Sequence, residues 1–242
     1  MIKKKTKKSF GIKENFFSSW KFIKKCKNFI YISILIFLLF AFFGFFVPAP
    51  EEISQKIFEF IEELLRRTEG LSQIGLIAYI FFNNLQSSFF GMFFGVFLGI
   101  FPIINAILNG YLVGFVASLA VEQEGIWILW RLVPHGVFEL PAIFISLGLG
   151  LRIGVLSISW FIIKPIKFYW KENKLILLLF ILFYLPALIV NLILDKKFRK
   201  SMKKNYPDFK NNLKKAILAF AFVVLPLLII AAIIEGILIY FF

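Results

Sequence analysis

Residues 28–47 run for twenty positions without a charged side chain. At about 1.5 Å per residue, a helix of that length covers the roughly 30 Å of a bilayer's hydrocarbon core. Uncharged runs recur at 74–101, 103–121 and 175–194, and 216–242 carries only Glu235. With 60% apolar residues, 19% aromatics and a mean hydropathy of +0.85, too little polar surface remains to cover a water-soluble globule of 242 residues. The expected solvent is lipid.

Charge supports the same reading. The net charge of +14 would indicate nucleic acid in a soluble protein, but the basic residues lie in blocks flanking the apolar runs. That pattern fixes topology and attracts anionic headgroups, and no polar domain exists to carry a nucleic-acid site. The single cysteine, Cys26, excludes an intrachain disulfide and a cysteine-based metal site. No cofactor is expected. The lysine-rich residues 1–27 lead into 28–47 with no small-residue cleavage site after it, so that span is expected to stay in the mature chain.

The polypeptide divides into a basic N-terminus, 1–27, and a single transmembrane domain, 28–242. After Pro48 and Pro50, residues 51–70 place Ile53, Ile57, Phe60, Ile61, Leu64 and Leu65 at helical spacing among six glutamates and three basic residues. This is the pattern of an amphipathic helix at the interface. The runs 74–101 and 103–121 read as an antiparallel hairpin turning at Pro102. Gly91, Gly95 and Gly99 form a small-residue stripe for helix packing, which also permits a homo-oligomer. Residues 126–163 exceed one span and barely make two, and they contain Pro134 and Pro141. A bent or re-entrant helix followed by a full span is expected there. The run 175–194 is kinked at Pro186, and 216–242 is broken at Pro226.

Ten basic residues in 1–27, against an acidic balance in 51–70, place the N-terminus in the cytoplasm of a multi-pass cell-membrane protein. Six simple crossings would then put the 195–215 loop, with nine basic and two acidic residues, outside. Three resolutions stand: 126–163 crosses twice, 175–194 dips and returns, or the rule is violated.

Ionisable groups at membrane depth cost roughly 2.5–3.5 kcal/mol unless paired or wet. Arg131, His135 and Glu139 stand at i, i+4 and i+8 on one helical face. They form a packing network, a proton-sensitive switch or part of a polar cavity. HGVFE is not a zinc-protease motif, and one histidine leaves a metal site short of ligands. Ser87, Ser88, Ser118 and Ser146 lie in no nucleophile-elbow motif. Asn83 and Asn84, with Gln86, Ser87 and Ser88, make one polar patch; Asn105 and Asn109 make another, one turn apart. These amides bridge helices or line a path. Glu235 either finds a partner, with Arg152, Arg131 and His135 as candidates, or stands at a helix end near the interface.

The segments FFNNLQSSFFGMFFGVFLGIFPIINAILNGYLVGF and RLVPHGVFELPAIFISLGLGLRIG, within residues 74–154, resemble the stage II sporulation protein M family. The shared features are a twin-Asn start, a glycine-striped hairpin, an NG pair and an HGxxE-P-A segment ending in GLRxG. The positions that carry them are Asn83, Asn84, Asn109, Gly110, His135, Gly136, Glu139, Pro141 and Arg152. The resemblance implies a multispanning membrane protein with no established catalytic activity, which in spore formers works with peptidoglycan-cleaving partners during engulfment. Its occurrence in organisms that make no spores implies a more general membrane function. The lysine-rich loop and the extra run after residue 164 depart from that pattern.

The expected fold is therefore all-α: a polytopic transmembrane bundle of about five to seven membrane segments, with one bent or re-entrant helix and one interfacial helix. The expected function is a non-enzymatic scaffold or assembly component with a membrane-protein partner or as a homo-oligomer. The alternative is a transporter or channel whose polar path is lined by the Asn-rich hairpin and the Arg131/His135/Glu139 helix.

Overall fold

The computed structural model describes residues 11–163 and 209–241, with the side chains of 131–135, 158–163 and 241 set aside. Every regular element among the described residues is helical: α1 Ile12–Lys25, α2 Lys27–Phe46, α3 Glu51–Thr68, α4 Gln73–Phe93, α5 Ile100–Glu124, α6 Leu129–Ile163, α7 Phe209–Ala219 and α8 Leu225–Phe241. Four stretches are long and apolar enough to cross a membrane: Lys27–Phe46, Ile100–Glu124, Gly136–Ser157 and Phe209–Tyr240. Helix α4 has 21 residues, but Asn83, Asn84, Gln86, Ser87 and Ser88 lower its hydropathy, and it is not among the four. The run 175–194 lies outside the described residues.

Glycines set the close approaches. Gly110 lies against the Phe37 carbonyl and Gly114 against the Ala41 carbonyl, so α2 and α5 run side by side in the same direction. On the other side of the bundle, Gly95 meets Gly150 and Gly154 meets Gly99, which aligns α4 with α6. Lipid tails are as apolar as leucine, so membrane helices associate through this kind of backbone-to-backbone packing. The Gly91/Gly95/Gly99 stripe is thus occupied within the chain, against α6. A homo-oligomer must use another face.

The remaining pairs give direction. Ile30 packs on Gly148, and the Ser33 hydroxyl donates to the Phe144 carbonyl at 3.2 Å, so α2 and α6 are antiparallel. Gly236 packs on Ile77 and the Phe89 ring meets Phe220 at 5.6 Å, so α4 and α8 are antiparallel. Helix α6 consequently finishes, and α7 begins, at the end of the bundle where α2 starts. Lys210, Lys214 and Lys215 share that end with Lys24, Lys25 and Lys27. The opposite end carries the glutamates of α3 together with Glu122 and Glu124.

Several expectations change. Residues 129–163 form one helix rather than a re-entrant piece plus a span, which removes a double crossing as the answer to the charge problem. Its second half is held by the close contacts at Gly148, Gly150 and Gly154. The hairpin turn falls at Leu98 and Gly99, both left-handed (φ 58° and 77°), instead of Pro102. Pro102 is the third residue of α5, in the first turn, where its missing N–H costs no intrahelical bond. Helices α4 and α5 touch only lightly beyond that turn. Pro226 does not break the last helix. A π turn, Phe220–Val224, precedes it and takes up the backbone mismatch that proline imposes.

Helix α1 packs into the bundle. Phe22, Ile23 and Cys26 join Ala216, Ala219 and Phe220 in the main core cluster. Burial pushes the Cys26 thiol up to about 11, with the Arg152 guanidinium pulling the other way. Cys26 is therefore expected to resist maleimide at pH 7.5 in the native protein and to label fully after denaturation. Ready labelling of native protein would contradict this packing.

Helix α3 has no fully buried residue but half-buries Ile57, Ile61 and Leu64, with Phe58 edge-on to Phe115 at 5.9 Å. Glu63 pairs with both Arg66 and Arg67 on the same helix. Hydrogen bonds from Arg67, at 2.8 Å, and from Arg66 hold the Glu63 carboxyl below the usual carboxylate range.

Candidate functional site

Three polar clusters join the helices at different depths. The first joins α4 to α5. Asn105 Nδ2 donates to Ser87 Oγ at 3.3 Å, and Asn109 Nδ2 donates to the Asn105 carbonyl at 2.9 Å and to Asn105 Oδ1 at 3.0 Å. Amides suit this work because each supplies both donors and an acceptor. Gly91 makes room for them: a Cβ there would lie 3.7 Å from the Asn105 amide and 2.9 Å from Leu147. Ser88 and Ser146 are fully buried nearby.

The second cluster joins α6 to α8. The Glu139 and Glu235 side chains are neighbours, and Glu235 Oε2 is sealed from solvent without a hydrogen-bond partner among the described residues. Glu235 was expected to find a basic partner; Arg152 is instead thirteen residues further along α6, about 20 Å away by helix rise. The side chains of Arg131 and His135 lie outside the described residues, so the predicted ladder is represented by Glu139.

Arg152 centres the third cluster, at the basic end. Its Nη1 donates to the Lys25 carbonyl at 3.4 Å and its Nη2 to Asn212 Oδ1 at 3.2 Å, while the guanidinium carbon sits 5.3 Å from the centre of the Phe22 ring. One side chain thus ties α1, α6 and α7 together. The planar fork allows this, because its donors point in fixed, divergent directions. Asn212 and Ser33 escaped sequence reasoning. Asn212 lies in α7, in a lysine-rich stretch whose composition hides one bonding amide, and Ser33 is one hydroxyl in an apolar run.

The twin asparagines part company. Asn84 is half-buried towards the core, whereas Asn83 and Gln86 are exposed on the outer side of α4. Among the described residues, no group of three or more His, Cys, Asp or Glu side chains is arranged to hold a metal ion.

Long apolar helices packed through glycines, with their few polar groups drawn into interhelical clusters, define a helical transmembrane protein. The family described as Stage II sporulation protein M matches residues 33–238, and the chain belongs to that family. The match is wider than the 74–154 stretch that carries the motif resemblance. It takes in the lysine-rich loop and the run before it, which therefore fall within the family's extent. No curated protein and no solved structure matches the chain.

Proposed function

We propose that this protein is a non-enzymatic scaffold or assembly component of a complex in the cell membrane, with its N-terminus in the cytoplasm. The observation that carries this reading is how the polar groups are used: Asn105, Asn109 and Arg152 bond neighbouring groups that fix helix positions. Such groups resist rearrangement, which suits a surface offered to a membrane-protein partner. The basic end, with Lys24, Lys25, Lys27, Lys210, Lys214 and Lys215, faces the anionic headgroups of the inner leaflet.

One observation favours a second reading. Carboxyls at membrane depth often mark proton or ion pathways, and Glu139 with Glu235 makes such a pair. In that reading the protein is a transporter, and the pair exchanges its proton or a cation during transport.

The variants Glu139→Ala and Asn105→Leu test the scaffold. Each is expected to lower the melting temperature in detergent by several degrees, on the order of 1–2 kcal/mol, and to reduce recovery of co-purifying partners. Wild-type stability and undiminished recovery in both variants would remove the reading.

A further inference from the structure

Helix α3 forms one wall of a cavity of about 400 Å³ whose opposite wall is α5. Ile53, Ile57 and Phe60 line it from one face of α3, and Leu108, Asn109 and Leu112 line it from α5. Contacts of α5 fix its depth. Gly110 meets Phe37, near the middle of the Lys27–Phe46 span, and Phe115 meets Phe58 of α3. The cavity therefore extends from about mid-span up to the amphipathic helix, within the leaflet at the acidic end. Its size suits a bound molecule, and its walls are those of an acyl-chain site. Asn109, the one amide in the wall, already spends its Nδ2 on Asn105.

The rim is charged in a definite order. Lys56 lines the cavity beside the apolar face, and at about 100° per residue Glu52 and Glu59 follow it within about 60° of arc. Glu63, on the same flank, is held by Arg66 and Arg67, whereas Lys56, Glu52 and Glu59 are exposed and make no ion pair among the described residues. Moving outward from the cavity, the surface is apolar, then positive, then negative. An aminophospholipid carries the complementary order: acyl chain, phosphate, primary ammonium. The Lys56 ammonium donates to the phosphate, and the headgroup ammonium donates to the Glu52 and Glu59 carboxylates. Side chains three and four apart stand about 5–6 Å from one another, a gap that the two-carbon link of ethanolamine bridges. A choline headgroup has no N–H to donate, and a net anionic headgroup meets the repulsion of the glutamates. The chain's own run 175–194 is uncharged and brings neither an anion for Lys56 nor a cation for the glutamates.

We propose that the groove between α3 and α5 is a binding site for a zwitterionic phospholipid with a primary-amine headgroup, its acyl chain in the cavity, its phosphate on Lys56 and its ammonium on Glu52 and Glu59. The site is independent of the choice between scaffold and transporter, since it uses none of the three interhelical clusters.

Native mass spectrometry of the delipidated full-length protein tests the proposal, with phosphatidylethanolamine, phosphatidylcholine and phosphatidylglycerol of identical acyl chains as the probes. The first phosphatidylethanolamine is expected to bind at least about tenfold more tightly than either of the other lipids. The double variant Glu52→Gln/Glu59→Gln, changed only at exposed positions, should lower its affinity to that of phosphatidylcholine. Leu112→Trp, which fills the cavity and leaves the rim charges in place, should abolish the tight first site. Equal affinity for the three lipids, a preference for phosphatidylglycerol, or an ethanolamine preference that survives either variant would each overturn it. So would the absence of any tight lipid site, the result expected if the chain's own residues fill the cavity.

Discussion

Gly114→Leu is expected to separate α2 from α5 and to lower the melting temperature by about 6–12 °C, the equivalent of about 3 kcal/mol of overpacking. The cause is geometric. A Cβ at Gly114 would overlap the Ala41 carbonyl, and at Gly110 the Phe37 carbonyl, so any side chain must push two backbones apart rather than displace a flexible neighbour. The loss propagates, because α2 also carries Ser33, which bonds α6 through the Phe144 carbonyl. Gly95→Leu should behave in the same way at the α4–α6 contact, where Gly150 leaves no room. Gly75→Ala is the control. A Cβ there meets nothing nearer than Ser72 Oγ at 3.4 Å, and removing a helical glycine favours the fold by about 0.5–1 kcal/mol. Thermal unfolding followed by size-exclusion chromatography in detergent checks the series. A Gly114→Leu protein that melts with wild type would refute the close approach.

Arg152→Ala is expected to release α1 from the bundle. The guanidinium bonds the Lys25 carbonyl and Asn212 and covers the Phe22 ring, so its removal takes a charge-assisted contact from each of two helices at once. The loss is on the order of 2 kcal/mol, with the largest effect on α1, whose other anchors are Phe22 and Ile23. Trypsin should then cleave at Lys21, Lys24 and Lys25 at least about tenfold faster than in wild type, following the increased population of the open helix. Lysine at 152 should not restore protection, because one ammonium lacks the diverging donors that reach both partners. Unchanged cleavage in Arg152→Ala would show that α1 is held by its apolar contacts alone.

These two sites illustrate what was legible in the chain. Hydropathy located the spans at 28–47, 103–121 and 216–242 because an uncharged run of that length has few alternatives. The turn between α4 and α5 was misplaced because FGVFLGIFP contains no polar turn residue. Proline drew attention, while the left-handed pair Leu98 and Gly99 did the turning. The 126–163 segment looked too rich in proline and charge for one helix, yet tertiary contacts at three glycines favour continuity. Glu235 has no basic side chain within its own helix, and the sequence does not show that α6 brings Glu139 opposite it. Gly110 and Gly114 are visible as a small-residue pair. What the sequence withholds is that their partners are backbone carbonyls of the first span, since a helix approached closely enough needs no distinctive side chain.

Flux through purified protein separates a scaffold whose intramembrane polar residues hold the bundle together, as proposed, from a transporter in which they pass a solute. Wild type and Glu139→Gln should be reconstituted into proteoliposomes and assayed for proton, cation and small-solute movement at pH 6 and pH 8, with folding verified in the same preparations. The expected result is no flux above empty liposomes for either protein at either pH. A wild-type flux that Glu139→Gln abolishes, in protein that remains folded, would place Glu139 in a transport path and contradict the account.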